Sequence, residues 1–429
     1  MRRFNAHDPS FPAAFAAFLE ERRDTPEEVD AIVRDVLATV RAEGLPALLR
    51  YAREFDRVDL DEGTIRVSAA EIEAGAAACP QAVRDAIAFA ADRIRTYHLR
   101  QRPEDLRFTD ESGVELGWRW TPIEAVGIYV PGGRAAYPST VLMNAVPAAA
   151  AGVDRIAMVT PPGRLQPAVL AAAKVAGVTE IWRVGGAQAV AALAYGAGPI
   201  RPVDKIVGPG NAFVTAAKRR VYGVVGIDAL AGPSEIVVVA DGANRPDWIA
   251  ADLLSQAEHD PAAQSILITD DAEFAAKVEA AVAEQIAVLT TGADAAASWR
   301  DHGAVIIASL EDSPGLVDQI APEHVEFAVE APDRLADRVR HAGAIFLGRY
   351  APEAIGDYVA GSNHVLPTSR AARFSSGLSI YDFLKRTSMV KCDEAAFARL
   401  APATVALAEA EGLPAHARSV AIRMGQGPR

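Results

Sequence analysis

The sequence predicts an α/β fold: two Rossmann-like domains with a helical N-terminal region and a C-terminal helical hairpin tail. Three observations predict it. From about Gly127 onward, short apolar runs alternate with helix-length segments, the pattern of parallel βαβ units. After Gly232 the alternation starts again. The two ends of the chain lack it and show helical periodicity instead.

The elements follow in chain order. About the first 120 residues read as mainly helical. Thr25-Pro26-Glu27-Glu28 offers a threonine N-cap, a proline at the first helical position and acids near the positive end of the dipole. Ile32, Val33, Val36 and Val40 then recur at helical spacing and mark an inward face. Ser68-Ala69-Ala70-Glu71 is a capping box. Residues 125–130, 155–159, 180–184 and 205–207 read as strands, each of the last three followed by a helix, the first of these over 167–176. In the second series, 235–240, 265–269, 304–308 and 344–347 read as strands, with helices over 247–259 and 272–288. Glu394 to Glu411 reads as a helix that stops at Gly412, and a second helix runs from Ala415 to Met424 after Pro414. Such a hairpin buries little by itself and should dock on the body or on a partner chain. The expected division is an N-terminal segment at 1–25, one Rossmann-like domain at 26–126 with 236–370, a second at 127–235, and the tail at 371–429.

Composition narrows the class. The 429 residues are 50% hydrophobic and only 7% aromatic, enough for a sizeable core. The formal charge of −13 argues against a nucleic-acid surface, which needs a basic patch. Anionic cofactors stay possible, because backbone amides and a few local cations can hold phosphates. Two cysteines, Cys79 and Cys392, are too few for a disulfide framework or a multi-cysteine zinc site. The N-terminus has basic residues but no apolar core, so no signal peptide is expected, and no apolar run reaches spanning length. A cytoplasmic protein without nucleic-acid or membrane partners is the expectation.

Several residues could carry chemistry. Four loops are glycine-rich: Gly132-Gly133, Gly185-Gly186, Gly208-Pro209-Gly210-Asn211 and Gly232-Pro233-Ser234-Glu235. Glycine lets amides approach a phosphate at a helix N-terminus, although a tight turn explains any single loop equally well. Gln256 and His259 are spaced i, i+3 on one expected helix and share a face. His259 is either a zinc ligand or a hydrogen-bonded structural histidine. Glu323-His324 lies just before a strand candidate at 326–329, and pairs a carboxylate with an imidazole at one strand mouth; a polar helix cap is the alternative. Residues 355–358 and 361–364 read as a polar loop in which Asp357 could bind a metal and His364 a polar substrate, or as plain surface. Glu411 and His416 flank the hairpin turn, where solvated surface is the default.

Taken together, these residues resemble the histidinol dehydrogenase family. The match runs through Gly127-Ile128-Tyr129-Val130-Pro131-Gly132-Gly133, Gly185-Gly186-Ala187-Gln188-Ala189, Val207-Gly208-Pro209-Gly210-Asn211 and Ala231-Gly232-Pro233-Ser234-Glu235. It continues through residues 256–260, Pro322-Glu323-His324, 361–368 and 375–379, and ends with Glu411-Gly412-Leu413-Pro414-Ala415-His416. The resemblance covers nearly the whole chain. It implies a homodimer and one zinc per site, held by Gln256, His259, Asp357 and His416, with the tail bearing His416 and Glu411 exchanged between subunits. Ser234, His324, His364 and Glu411 would line the substrate pocket, together with the zinc ligands. Tyr129, Gln188 and Asn211 would contact NAD, which makes 127–235 the NAD-binding domain. The implied reaction oxidises L-histidinol to L-histidinaldehyde and then to L-histidine, the last steps of histidine biosynthesis, with two NAD in turn. His324 would be the base for the hydride transfers and Glu323 would activate water. A covalent aldehyde route needs a thiolate, and neither cysteine lies among the site motifs. Three rivals remain: a same-family dehydrogenase for another small polar alcohol, a zinc hydrolase, and a non-catalytic nucleotide-binding protein, which the intact set of acid, base and ligand positions disfavours.

Overall fold

The computed structural model describes residues 1–21, 27–132, 137–163, 165–230 and 232–425. The chain divides into two compact units, Met1–Gln101 with Glu124–Phe383, and Arg102–Ile123 with Leu384–Arg429. In chain order the strands are β1 (Arg2–Asn5), β2 (Leu106–Thr109), β3 (Glu115–Pro122), β4 (Ala125–Tyr129), β5 (Arg155–Thr160), β6 (Glu180–Arg183) and β7 (Lys205–Val207). They continue with β8 (Gly226–Ile227), β9 (Glu235–Ala240), β10 (Gln264–Thr269), β11 (Ala304–Ile307), β12 (His324–Ala328), β13 (Ala344–Leu347) and β14 (Leu384–Lys391).

The first unit holds two parallel sheets. One has the order β6-β5-β4-β7-β8, the other β1-β11-β10-β9-β12-β13. Apart from β1, which is added at an edge of the larger sheet, both follow one plan: β4 or β9 comes first, the next two strands lie to one side of it and the following two to the other. Strand order therefore reverses between β4 and β7, and again between β9 and β12, which are the places where such sheets bind ligands. Strands covered on both faces read as continuous apolar runs. In β9, Val237 and Val239 enter the core on one face, while Ile236, Val238 and Ala240 enter the core on the other. Each fully buried Val or Ile contributes roughly 1.5–3 kcal/mol. The five-stranded sheet is covered in part by the helices Glu27–Glu43, Gly186–Tyr195 and Ala212–Val221.

The structure adds strands to the N-terminal region. β1 pairs with β11, and Phe4 on it meets Phe11, Phe15 and Phe18 of the helix Phe11–Glu20. The Thr25-Pro26 helix start lies outside the described residues, as do Gly133 and Ala231 of the glycine motifs. The helix beyond it buries Val33, Val36, Leu37 and Val40 but leaves Ile32 49% exposed. At 100° per residue, Ile32 sits roughly 90° from the centre of that stripe, so it does not belong to the inward face. The Ser68 capping box is formed, with Ser68 Oγ accepting from Glu71 N and the Glu71 carboxylate accepting from Ser68 N.

The second unit is an antiparallel sheet of order β14-β3-β2 with the helices Glu394–Ala410 and Pro414–Ala421. Gly412 takes φ +70 at the turn between them. No described helix is long and apolar enough to cross a membrane.

Candidate active site

Parallel pairing explains how the site residues meet. The helix Pro246–Ala257 connects β9 to parallel β10, so it must run back against the strands. Its C-terminal end, with Gln256, therefore returns to the strands' amino ends. His259 is two residues past the helix, and its amide bonds Gln256 O in a turn (3.1 Å). The shared helical face expected of the pair is thus replaced by a turn, because Asp260-Pro261 stops the helix early. His259 is exposed, with Nδ1 3.4 Å from Ser234 Oγ.

His324 is the first residue of β12, which starts two residues before the strand expected at 326–329, and the register sets it opposite Ile236 of β9. Glu323 therefore reaches across to Glu235, whose amide donates to Glu323 Oε2 (3.0 Å). His324 Nδ1 donates to Glu235 O (3.0 Å), which leaves Nε2 as the basic nitrogen. Nε2 lies 3.9 Å from both Glu353 Oε1 and Asp357 Oδ1. These two acids stand on the helix Glu353–Tyr358, where spacing i, i+4 aligns them. Asp357 is thus helical and not part of a loop as expected; Pro352 opens a turn of helix ahead of it. The Gly361–His364 segment is irregular. His364 Nδ1 donates to Asp357 O (3.1 Å).

The electrostatics follow from burial. Burial, then Glu235, Asp357 and Glu353 nearby, pushes the Glu323 carboxyl well above the usual carboxylate range. Burial lowers His324, so its imidazole is neutral at physiological pH. Burial also takes His364 down to about 4. Asp357 is pushed up to about 9 by burial and by the Glu353 charge. Glu353 and Asp357 behave as a pair sharing one proton, held by Asp357.

Two features suit a cation. His324, Glu353 and Asp357 form a donor group whose ligand atoms lie within 4.8 Å of one another. Gln256 is fully buried with its amide beside the Glu353 carboxylate, and His324 Nε2 is without a hydrogen-bond partner. Buried polar groups normally find partners, and an N/O donor set of this kind fits zinc. Sequence reading missed Glu353. Its signal was Pro352 followed by two acids at i, i+4.

A second group of residues lines the carboxyl edge of the five-stranded sheet. Tyr129 ends β4 and its hydroxyl accepts from Gly186 N (3.1 Å); burial pushes its pKa up to about 12. Gln188 is buried in the first turn of the helix Gly186–Tyr195. Asn211 caps the helix Ala212–Val221, its Oδ1 accepting from Phe213 N and Val214 N. Gly185 gives the helix Gly186–Tyr195 no side-chain cap, so beyond the Gly186 amide, which the Tyr129 hydroxyl takes, the first turn suits an anionic group. That edge fits a dinucleotide's phosphates at the β4/β7 reversal. Glu411 and His416 lie in the second unit, exposed on either side of the hairpin turn.

A switch-point edge on one parallel sheet and a buried acid–imidazole centre at the amino ends of the other define an α/β enzyme built for proton transfer. A family model described as histidinol dehydrogenase matches residues 19–424. The histidinol dehydrogenase of Caulobacter vibrioides is 78% identical over 427 residues, covering 100% of both chains. That of Rhodospirillum rubrum is 60% identical, covering 99% of both. The crystal structure of histidinol dehydrogenase from Elizabethkingia anophelis superposes with a TM-score of 0.94 at 35% identity, over 99% of this chain and 98% of that one. The chain belongs to the histidinol dehydrogenase family, and it is an oxidoreductase.

Proposed function

We propose that the protein oxidises L-histidinol to L-histidine through L-histidinaldehyde in the cytoplasm, reducing two NAD in turn, as the closing steps of histidine biosynthesis. The observation that carries this reading is the neutral His324 imidazole, fixed through Nδ1 and presenting Nε2 toward Glu353 and Asp357 beside a raised Glu323. In the first oxidation His324 Nε2 takes the hydroxyl proton as hydride leaves the carbinol carbon. Glu323 then takes a proton from water as the water adds to the aldehyde; its raised pKa makes its carboxylate a better proton acceptor than an exposed glutamate. Once its first proton has passed to solvent, His324 takes the remaining hydroxyl proton of the hydrate anion as the second hydride leaves for NAD, which leaves the carboxylate. Tyr129, Gln188 and Asn211 hold NAD at the β4/β7 edge. Gln256, His259 and Asp357 would hold zinc, completed by His416 from the second subunit of a homodimer. When bound, the metal supplies a fixed positive centre for the substrate's imidazole and amine nitrogens. Ser234, His364 and Glu411 complete the pocket, and the Glu411 carboxylate suits the substrate ammonium. The dimer reading draws support from the hairpin's exposed Leu407, Leu413 and Ile422.

The test is NADH counted per histidine formed from L-histidinol by the zinc-loaded protein. Two NADH per histidine is expected. Turnover of a different alcohol alone would move the substrate, and no NADH from any alcohol would overturn the dehydrogenase reading in favour of a hydrolase. Two variants refine it. Glu323→Gln should slow aldehyde oxidation by roughly 100-fold or more while sparing alcohol oxidation; equal losses in both halves would remove its water-activating role. His416→Ala should weaken zinc binding roughly 10- to 100-fold, the scale for disturbed metal sites, with an unchanged circular dichroism spectrum. Unchanged zinc content and rate would exclude His416 from the site.

A further inference from the structure

Glu326 has no part in the chemistry above, yet it is a carboxyl 3% exposed in the middle of β12. Burying such a group costs several kcal/mol unless it is well paired, and an apolar residue of similar size would fill the space more cheaply. Alternation along the strand puts its side chain on the same face as His324. Its Oε1 accepts the backbone N–H of Glu353, the first residue of the helix Glu353–Tyr358. That helix begins at Pro352, which provides no side-chain cap, so Glu326 satisfies an amide that would otherwise be orphaned. On its other side Glu326 shares a carboxyl–carboxylate hydrogen bond with Asp252. Asp252 lies on the helix Pro246–Ala257 four residues before Gln256, one turn along the same face. Ser255 of that helix also donates to Glu353 Oε2 (3.0 Å).

The chain Asp252–Glu326–Glu353 N thus joins three elements, each bearing a residue of the site: Gln256, His324, and Glu353 with Asp357. We infer that Glu326 is a positioning residue, whose carboxyl, bonded to Asp252, locks the short helix of Glu353 and Asp357 against the strand of His324. The lock determines how far Asp357 stands from Gln256 and His324. Its consequence for zinc rests on the function proposed above; the lock itself does not.

The test compares Glu326→Gln with Glu326→Leu in the full-length protein, by hydrogen exchange of the 353–358 amides in the metal-free form and by zinc titration against a chromogenic chelator. The glutamine keeps an oxygen for Glu353 N and donates to Asp252, so it should hold exchange and zinc affinity within about threefold of the wild type, whereas the leucine should lose roughly 10- to 100-fold in zinc affinity and exchange Glu353 faster. Rescue by glutamine separates an acceptor role from simple space-filling. Wild-type exchange and zinc affinity in the leucine variant would overturn the inference. Should that variant fail to fold, Asp252→Ala takes its place: faster exchange at Glu353 is expected, and unchanged exchange overturns the lock. If the wild type itself binds no zinc, the zinc reading fails while the exchange comparison still decides the positioning role.

Discussion

His324→Asn is expected to lower kcat roughly 100- to 10,000-fold in both oxidations, the span of a lost general base. The asparagine amide can still donate to Glu235 O, as Nδ1 does at 3.0 Å, so the tie between β12 and β9 survives. No basic nitrogen takes the place of Nε2. The variant should therefore fold, bind NAD and fail at proton removal in each half-reaction, measured separately with the alcohol and the aldehyde. A loss below tenfold would show that another group removes the proton. Zinc content in the same variant carries further information. His324 Nε2 belongs to the compact donor group with Glu353 and Asp357, whereas the proposed ligand set is Gln256, His259, Asp357 and His416. Unchanged zinc with lost turnover fits a base. Zinc lost in step with turnover would make His324 a ligand and revise the set.

The parts of the fold legible from sequence were those where one physical pattern dominates. Both faces of β9 and β10 are buried, so Glu235–Ala240 and Gln264–Thr269 read as apolar runs of strand length. The capping box at Ser68 was legible because its partners lie three residues apart in sequence. The edge strands β1 and β8 and the strands of the small sheet were not. β1 is Arg2-Arg3-Phe4-Asn5, too short and too basic to signal a strand without the phenylalanines it meets. β2 alternates Leu106 and Phe108 with polar residues over only four exposed positions, too short a run to mark a strand, and β14 carries Lys385, Arg386 and Lys391 with no buried residue. Of the site, motifs exposed the residue types while only the tertiary pairing exposed the partners. Glu326 sits between Val325 and Phe327, and the one hint of its role was a charge inside an apolar strand. What it bonds, the start of a helix 27 residues later, is fixed by β12 register and not by local sequence.

Lys218→Met should destabilise the protein by about 3–5 kcal/mol, the cost of leaving one member of a buried ion pair alone. Lys218 and Asp228 have side chains only 3% and 5% exposed and form an ion pair. Both also grip one residue of the glycine loop, on its two flanking peptides: Lys218 Nζ donates to Gly208 O (3.0 Å), and Gly208 N donates to Asp228 Oδ2 (2.8 Å). Gly208 takes φ +111, and an added Cβ there would come within 2.3 Å of Tyr129 O, so the loop has one workable path and the pair holds it on that path. Methionine matches the lysine stem but strands the Asp228 charge and leaves Gly208 O without its donor. The measurement is the chemical denaturation midpoint, and a shift worth less than 1 kcal/mol would mean that solvent reaches Asp228. Replacing both members, Lys218→Met with Asp228→Leu, should recover part of the loss, because no buried charge remains. The double variant also isolates function from stability. Three residues beyond Gly208, Asn211 is proposed to meet NAD, so a chain that is restabilised yet has lost its grip on Gly208 should keep a raised KM for NAD with the KM for histidinol unchanged. A normal KM for NAD in that variant would reduce the pair to a structural role.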